Sequence, residues 1–151
     1  MGRISIRRAV ATDAAEAAAL FTAALESMDF FPKLHSAEED RAFVGKFIWE
    51  CETWVLLMDG RIAGLACIEG DRLDHLYVHP EFHGEGIGSA LLERVKLQRP
   101  GGFDLWTFQA NKGARRFYER HGLEAVERTD GHRNEEQLPD VRYAWSPALE
   151  V

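Results

Sequence analysis

The hydrophobic period changes several times along the chain, and each change marks an element. Ile4-Ser5-Ile6-Arg7 alternates apolar and polar positions, as a half-buried strand does. Thr12 and Asp13 are N-cap candidates, with Glu16 spaced for a capping box on Asp13. The alanine-rich run that follows, striped by Leu20, Phe21 and Leu25, predicts a first helix. A loop around Phe30-Phe31-Pro32 separates it from a second capping-box signal, Ser36 with Glu39, which opens a helix through Phe43, Phe47 and Ile48. From Thr53 the period shortens, and residues 54–58 and 62–68 around Asp59-Gly60 read as a β-hairpin. Residues 73–78 make a third strand of the meander, which Pro80 ends. Glycine-rich residues 84–88 run into a helical segment at 90–95, which Pro100-Gly101-Gly102 stops. Residues 103–108 are a strand, residues 114–121 a helix closed by Gly122 at C′, and residues 125–128 and 141–145 two late strands around a polar loop. The order is β-α-α-β-β-β-α-β-α-β-β, which implies a mixed sheet with helices on its faces.

Composition narrows the possibilities. A chain of 151 residues is read as one domain, 1–151, able to bury roughly 70% of its unfolded surface. Lys and Arg number 18 against 25 Asp and Glu, a net charge of −7, which argues against nucleic acid as partner. Cys51 and Cys67 are too few for a disulfide scaffold and lack metal-ligand spacing, so buried free thiols and no metal are expected. No apolar run has the length of a membrane span, and the basic opening MGRISIRRAV has no apolar stretch of signal-peptide length. The expectation is a cytoplasmic protein with no membrane partner.

The strongest local signal is Leu76-Tyr77-Val78-His79-Pro80-Glu81-Phe82-His83-Gly84-Glu85-Gly86-Ile87-Gly88-Ser89. A strand ends, glycines permit tight backbone turns, and a helix begins. Consecutive N–H groups at such a helix start suit a phosphate or pyrophosphate. A P-loop would need Lys and then Ser or Thr after its last glycine, and Ser89-Ala90 stands there instead. A dinucleotide fingerprint needs a small residue where Ser89 falls, and a βαβ unit where the hairpin meander lies. A helix start with flexible glycines and no ligand is the remaining plain reading.

The stretch resembles the coenzyme A pyrophosphate motif of the GCN5-related N-acetyltransferases (GNAT family), with His83 where that motif has Gln or Arg. Asn111, followed seven residues on by Tyr118 and then by Gly122, looks like the family's second signature, and the order of elements is similar as well. The resemblance implies an α/β (α+β mixed) GNAT-like acyl-CoA acyltransferase fold, a mostly antiparallel sheet of about six to seven strands flanked by about four helices. It implies acetyl-CoA as co-substrate and a primary amine of a small molecule or peptide as acceptor, with direct transfer. Backbone groups of Leu76, Tyr77 and Val78 would hold the pantetheine arm, one N–H polarising the thioester carbonyl. His83, Gly84, Glu85, Gly86, Ile87, Gly88 and Ser89 would hold the pyrophosphate, and Asn111 would hydrogen-bond the arm unless it serves only as a helix N-cap. A homodimer is compatible with the family but not written in the sequence.

Tyr118 is the candidate general acid, since a phenol of pKa ~10 stays protonated at neutral pH and can donate to a thiolate. The plainer reading is a core aromatic beside Phe117, although neighbours on a helix point about 100° apart and cannot both face the core centre. The general base stays open. Some family members carry a Glu where this chain has Trp106, and the candidates are Asp74, His75, Glu135, Glu136 or water. Strand alternation predicts that only one of Asp74 and His75 sees the cleft. Residues 134–140 carry three carboxylates, which would favour a cationic acceptor, or form a plain solvated loop. Trp54, Trp106, Tyr143 and Trp145 are expected mostly in the core, with one available to line an acceptor pocket. The alternative function is a non-catalytic acyl-CoA-binding module.

Overall fold

The structure, a computed structural model, describes residues 3–147, so Met1, Gly2 and the last four residues of the expected 1–151 domain lie outside it. Seven strands form a single sheet in the order β1-β2-β3-β4-β5-β7-β6. The strands are β1 (Ile4–Arg8), β2 (Glu52–Met58), β3 (Arg61–Glu69), β4 (Arg72–Val78), β5 (Phe103–Phe108), β6 (Glu124–Thr129) and β7 (Asp140–Trp145). Four α-helices accompany them: α1 (Ala14–Glu26), α2 (Ala37–Glu50), α3 (Ile87–Gln98) and α4 (Lys112–Arg120). All neighbours are antiparallel except β4 and β5. The mixed, mostly antiparallel sheet with four helices is as expected.

The central strands are buried on both faces, so the core has two halves. Leu56, Ala66, Ile68, Leu91, Val95 and Tyr143 pack on the face that α3 and α4 cover. Val55, Leu65 and Cys67 pack against Leu20, Phe21, Val44 and Phe47 of α1 and α2. Alternation assigns each residue to its half until a bulge reverses it. Leu56 pairs with Gly64 but Leu57 with Ile62, leaving Ala63 as the extra residue. Ile62 and Leu65 therefore face one half although they are three apart, as a bulge allows.

Local chemistry explains most boundaries. Asp59 and Gly60 both have positive φ, 51° and 83°, as a primed hairpin turn requires. The Ser36–Glu39 capping box forms, with Glu39 N–H donating to Ser36 Oγ and Ser36 N–H to Glu39 Oε1. The Asp13–Glu16 box does not. Asp13 accepts from the Arg7 guanidinium at 2.8 and 3.0 Å and from Val10 N–H, while Glu16 accepts from Ile62 N–H on β3 at 2.7 Å. Both carboxylates tie the helix start to the sheet, which satisfies donors that a local box would leave unpaired.

One interruption in the sheet positions everything that follows. β4 and β5 pair only at Arg72 and Asp104, and beyond that rung they diverge. The rung is fastened by charge. Asp104 accepts from Arg72 Nε and Nη2 at 3.0 Å each and from Arg142 Nη1 at 3.0 Å, and these guanidiniums hold its carboxyl below the usual range. Above it, one edge of β4 stays open into a wedge.

Candidate active site

The floor of the wedge is the open edge of β4. On its other edge Leu76, Tyr77 and Val78 pair with Ala66, Leu65 and Gly64 of β3, but no β5 residue pairs with them. Backbone groups facing the wedge therefore remain available to an extended ligand lying alongside as an added strand.

The glycine-rich turn lies where β4 ends. A single 3-10 turn, Pro80–Phe82, follows the strand, and α3 begins at Ile87 with Gly86 as its N-cap. Gly84 and Gly86 have φ of +84° and +78°, values that a residue with a Cβ adopts only at a cost. Among the described residues no protein acceptor takes the N–H of Gly84, Gly86, Ile87, Gly88 or Ser89. Such a set of unsatisfied donors at a helix N-terminus matches a pyrophosphate. His83 and Glu85 are exposed beside it. At Gly88 the packing is close, because a Cβ there would lie 3.3 Å from the Phe117 ring and that ring would have to give by a few tenths of an ångström. Ser89 Oγ is 3.0 Å from His121 Nε2, so α4 braces the start of α3 at two points.

Asn111 is the N-cap of α4, its Oδ1 accepting from Ala114 N–H at 3.1 Å. Tyr118, and not Phe117, turns into the core: it is 8% exposed and packs with Ile87, Leu91 and Tyr143. Burial raises its phenol pKa, with a smaller contribution from the nearby Tyr77 phenol, so the proton is held more firmly than in water. The Tyr118 hydroxyl has no hydrogen-bond partner among the described residues.

Tyr77 links this side to a cavity of about 860 Å³ on the α1–α2 side of the wedge. Phe21, Phe43, Tyr77, Trp106 and Phe108 wall it, and Asp40, Asp74, Glu135, Glu136 and Asp140 supply carboxylates. The segment between α1 and α2 crosses above it, with Phe30 and Phe31 packed on Phe108 at ring distances of 5.9 and 5.7 Å. His35 Nε2 then meets Glu135 Oε1 of the β6–β7 loop at 3.0 Å, closing a strap over the opening. Trp106 is the tryptophan that lines the pocket.

The wedge changes the standing of the base candidates. Alternation fails at Asp74, for Cys67 pairs with His75 and Ile68 with Leu73, so Asp74 is the extra residue of a bulge. Asp74 and His75 consequently both line the cavity, contrary to the expectation from strict alternation. Desolvation and the adjacent Glu69 push the Asp74 carboxyl up to about 6. His75 stacks on Phe47 at 4.7 Å with Nδ1 unpartnered, and burial pulls its imidazole down to about 4. Glu135 is engaged by His35, while Glu136 is half-buried with no ion-pair partner among the described residues. Asp40 of α2 and the bulge at Asp74 escaped the sequence reading. Asp40 carries no motif signal, and a bulge has no signature in the residues of one strand.

A model of the acetyltransferase (GNAT) domain matches residues 49–124, from the end of α2 through α4. The chain belongs to the GNAT family. As a GNAT member it is an N-acetyltransferase. It is 26% identical over 129 residues to the peptidyl-lysine N-acetyltransferase YjaB of Salmonella typhimurium, covering 84% of this chain and 88% of that one. It is 31% identical over 100 residues to the peptidyl-lysine N-acetyltransferase YiaC of Escherichia coli, covering 66% of each. The solution structure of apo YjaB from Escherichia coli shares the fold with a TM-score of 0.79 at 23% identity, over 95% of this chain and 97% of that one. The GNAT match spans the wedge-bearing strand β4, the glycine turn and Tyr118, but not the β6–β7 loop. No helix among the described residues is long and apolar enough to cross a membrane, and no group of three or more His, Cys, Asp or Glu side chains there could hold a metal ion.

Proposed function

We propose that the protein transfers an acetyl group from acetyl-CoA directly to a primary amine held in the cavity, with Tyr118 as general acid and Asp74 as general base. The observation that carries the reading is the opening of β4 away from β5, with the unpaired amides of Gly84 to Ser89 at one end and the walled cavity at the other. Acetyl-CoA supplies an activated thioester. The chain's own groups hold it and move the protons. Amides of Gly84, Gly86, Ile87, Gly88 and Ser89 bind the pyrophosphate, with His83 and Glu85 at the rim. Backbone groups of Leu76 to Val78 orient the pantetheine arm, and an N–H of that strand polarises the carbonyl. Asn111 keeps α4, and with it Tyr118, in register.

An amine attacks only when neutral, so one proton must leave the incoming ammonium. A carboxylate of pKa about 6 lining the cavity is matched to that removal near neutral pH. His75 at about 4 accepts a proton less readily, and Glu135 is already paired. The departing thiolate takes the Tyr118 proton, which burial keeps in place over the working pH range, and the second proton, shed by the nitrogen as it becomes an amide, restores the phenol. The names of YjaB and YiaC extend the acceptor class to lysine side chains of peptides.

Calorimetry and turnover test the two halves. The protein should bind acetyl-CoA and lose that binding to an analogue truncated before the pyrophosphate. Tyr118→Phe should lower kcat about 10²-fold, the usual contribution of a general acid, with the acetyl-CoA Kd within about two-fold of wild type. Absence of heat at millimolar acetyl-CoA would sink the reading, whereas binding without turnover on any amine would leave only a cofactor-binding module.

A further inference from the structure

We infer that the acceptor is a diamine: an amine that reacts, joined through an apolar spacer to a second cationic group, which Asp40 receives. This rests on the acetyl-transfer reading and deepens it.

Asp40 lies in the first turn of α2 and is 7% exposed. One carboxylate oxygen, Oδ2, accepts from Thr22 Oγ1 of α1 at 2.8 Å, and no Lys, Arg or His reaches Asp40 among the described residues. Oδ1 has no hydrogen-bond partner there, yet it is not sealed from open space, and the residue lines the cavity. A carboxylate so buried is ordinarily paired, because little water reaches its charge. The first turn of α2 offers partial compensation through its backbone dipole, but not a counter-ion.

The cavity favours a cation in that place. Its basic side chains are Lys33, which is exposed, His35, which bridges Glu39 and Glu135 at 3.5 and 3.0 Å, and His75, which stacks on Phe47 and whose imidazole burial pulls down to about 4. Asp74, Glu136 and Asp140 leave the carboxylates in excess, so an acceptor bearing its own carboxylate or phosphate is disfavoured.

Asp40 cannot usefully hold the amine that reacts. An ion pair with a buried carboxylate keeps an ammonium protonated, and a protonated nitrogen has no lone pair for the carbonyl. The charge at Asp40 is therefore a second one. Between Asp40 and the wedge lie Phe43 and Phe21, and Phe21 packs edge-on to Tyr77 at 5.1 Å. An aliphatic chain laid on these rings joins the two ends.

The test compares octane-1,8-diamine with octylamine, which share a reactive amine and a spacer but differ in the distal charge. Wild type should show a KM for the diamine about ten-fold below that for octylamine, as one charge-assisted contact provides. Asp40→Asn should raise the diamine KM about ten-fold, leave the octylamine KM and the acetyl-CoA Kd unchanged, and Asp40→Glu should restore the preference. Asparagine can still accept from Thr22, so the packing of α1 on α2 is kept. Equal KM values for both probes in wild type overturn the inference, as does an Asp40→Asn change that raises both KM values alike. Acetylation of a lysine peptide with neither probe consumed overturns it too, while the acetyl-transfer reading stands. Loss of acetyl-CoA binding in wild type would fail both.

Discussion

The two ends of the wedge are built from different materials. At the glycine turn the groups proposed to hold acetyl-CoA are main-chain amides fixed by contiguous residues, and the side chains that matter are absent ones: Gly84, Gly86 and Gly88. At the acceptor end the groups are side chains contributed by α1, α2, β4, β5 and the β6–β7 loop. A backbone site is nearly indifferent to side-chain chemistry but intolerant of a changed φ. A side-chain site is the reverse. One fold can therefore hold a fixed donor while its acceptor pocket varies, because substitutions in the cavity leave the amide cradle untouched.

Variants can break or sharpen that contrast. The largest effect is expected at Gly86. Its φ of +78° makes Gly86→Val strained by at least ~1–2 kcal/mol, so acetyl-CoA affinity should fall ten-fold or more while Glu85→Gln changes it less than about two-fold. Equal losses from both in calorimetry would mean that side chains hold the pyrophosphate. Next comes Asp74→Asn, which should lower kcat/KM about ten-fold or more at pH 7.5. In wild type the rate should climb as pH rises through about 6, where Asp74 loses its proton, and the variant should lack that step. Stability should move the other way. A carboxyl raised above its unfolded pKa stabilises the fold in its protonated form, and that contribution is lost as pH rises through about 6. Asp74→Asn should thus melt higher than wild type at pH 8, by about 1–2 °C given its partial exposure to water, and not at pH 4. The smallest effect is at His83, an exposed rim residue where a guanidinium would replace an imidazole. His83→Arg should tighten acetyl-CoA binding about two- to five-fold, and an unchanged Kd would confine recognition to the amides.

The two ends also differ in how far they could be read beforehand. His83-Gly84-Glu85-Gly86-Ile87-Gly88 was legible because each glycine answers a local demand, a turn or a close contact, that contiguous residues express. The Ser36–Glu39 box and the Asp59-Gly60 turn were legible for the same reason. Glu16 was not, since its partner, Ile62 N–H, lies 46 residues away. Phe43 reads as a core position by its spacing, yet is 45% exposed because it walls a cavity. Tyr118 was legible as a spacing from Asn111, but its burial depends on Tyr143 and Leu91 arriving from other elements.

By itself the sequence determined the order of strands and helices, the turn that precedes α3 and the family resemblance, all of which rest on periodicity and backbone preferences acting within a few residues. Only the tertiary structure decided that β4 and β5 part after a single rung, that a bulge brings Asp74 and His75 to the same cavity, and that Asp40 is buried without a counter-ion among the described residues. Those features depend on sheet register and on packing between distant segments, where the energy of a contact belongs to two stretches of chain and is written in neither alone.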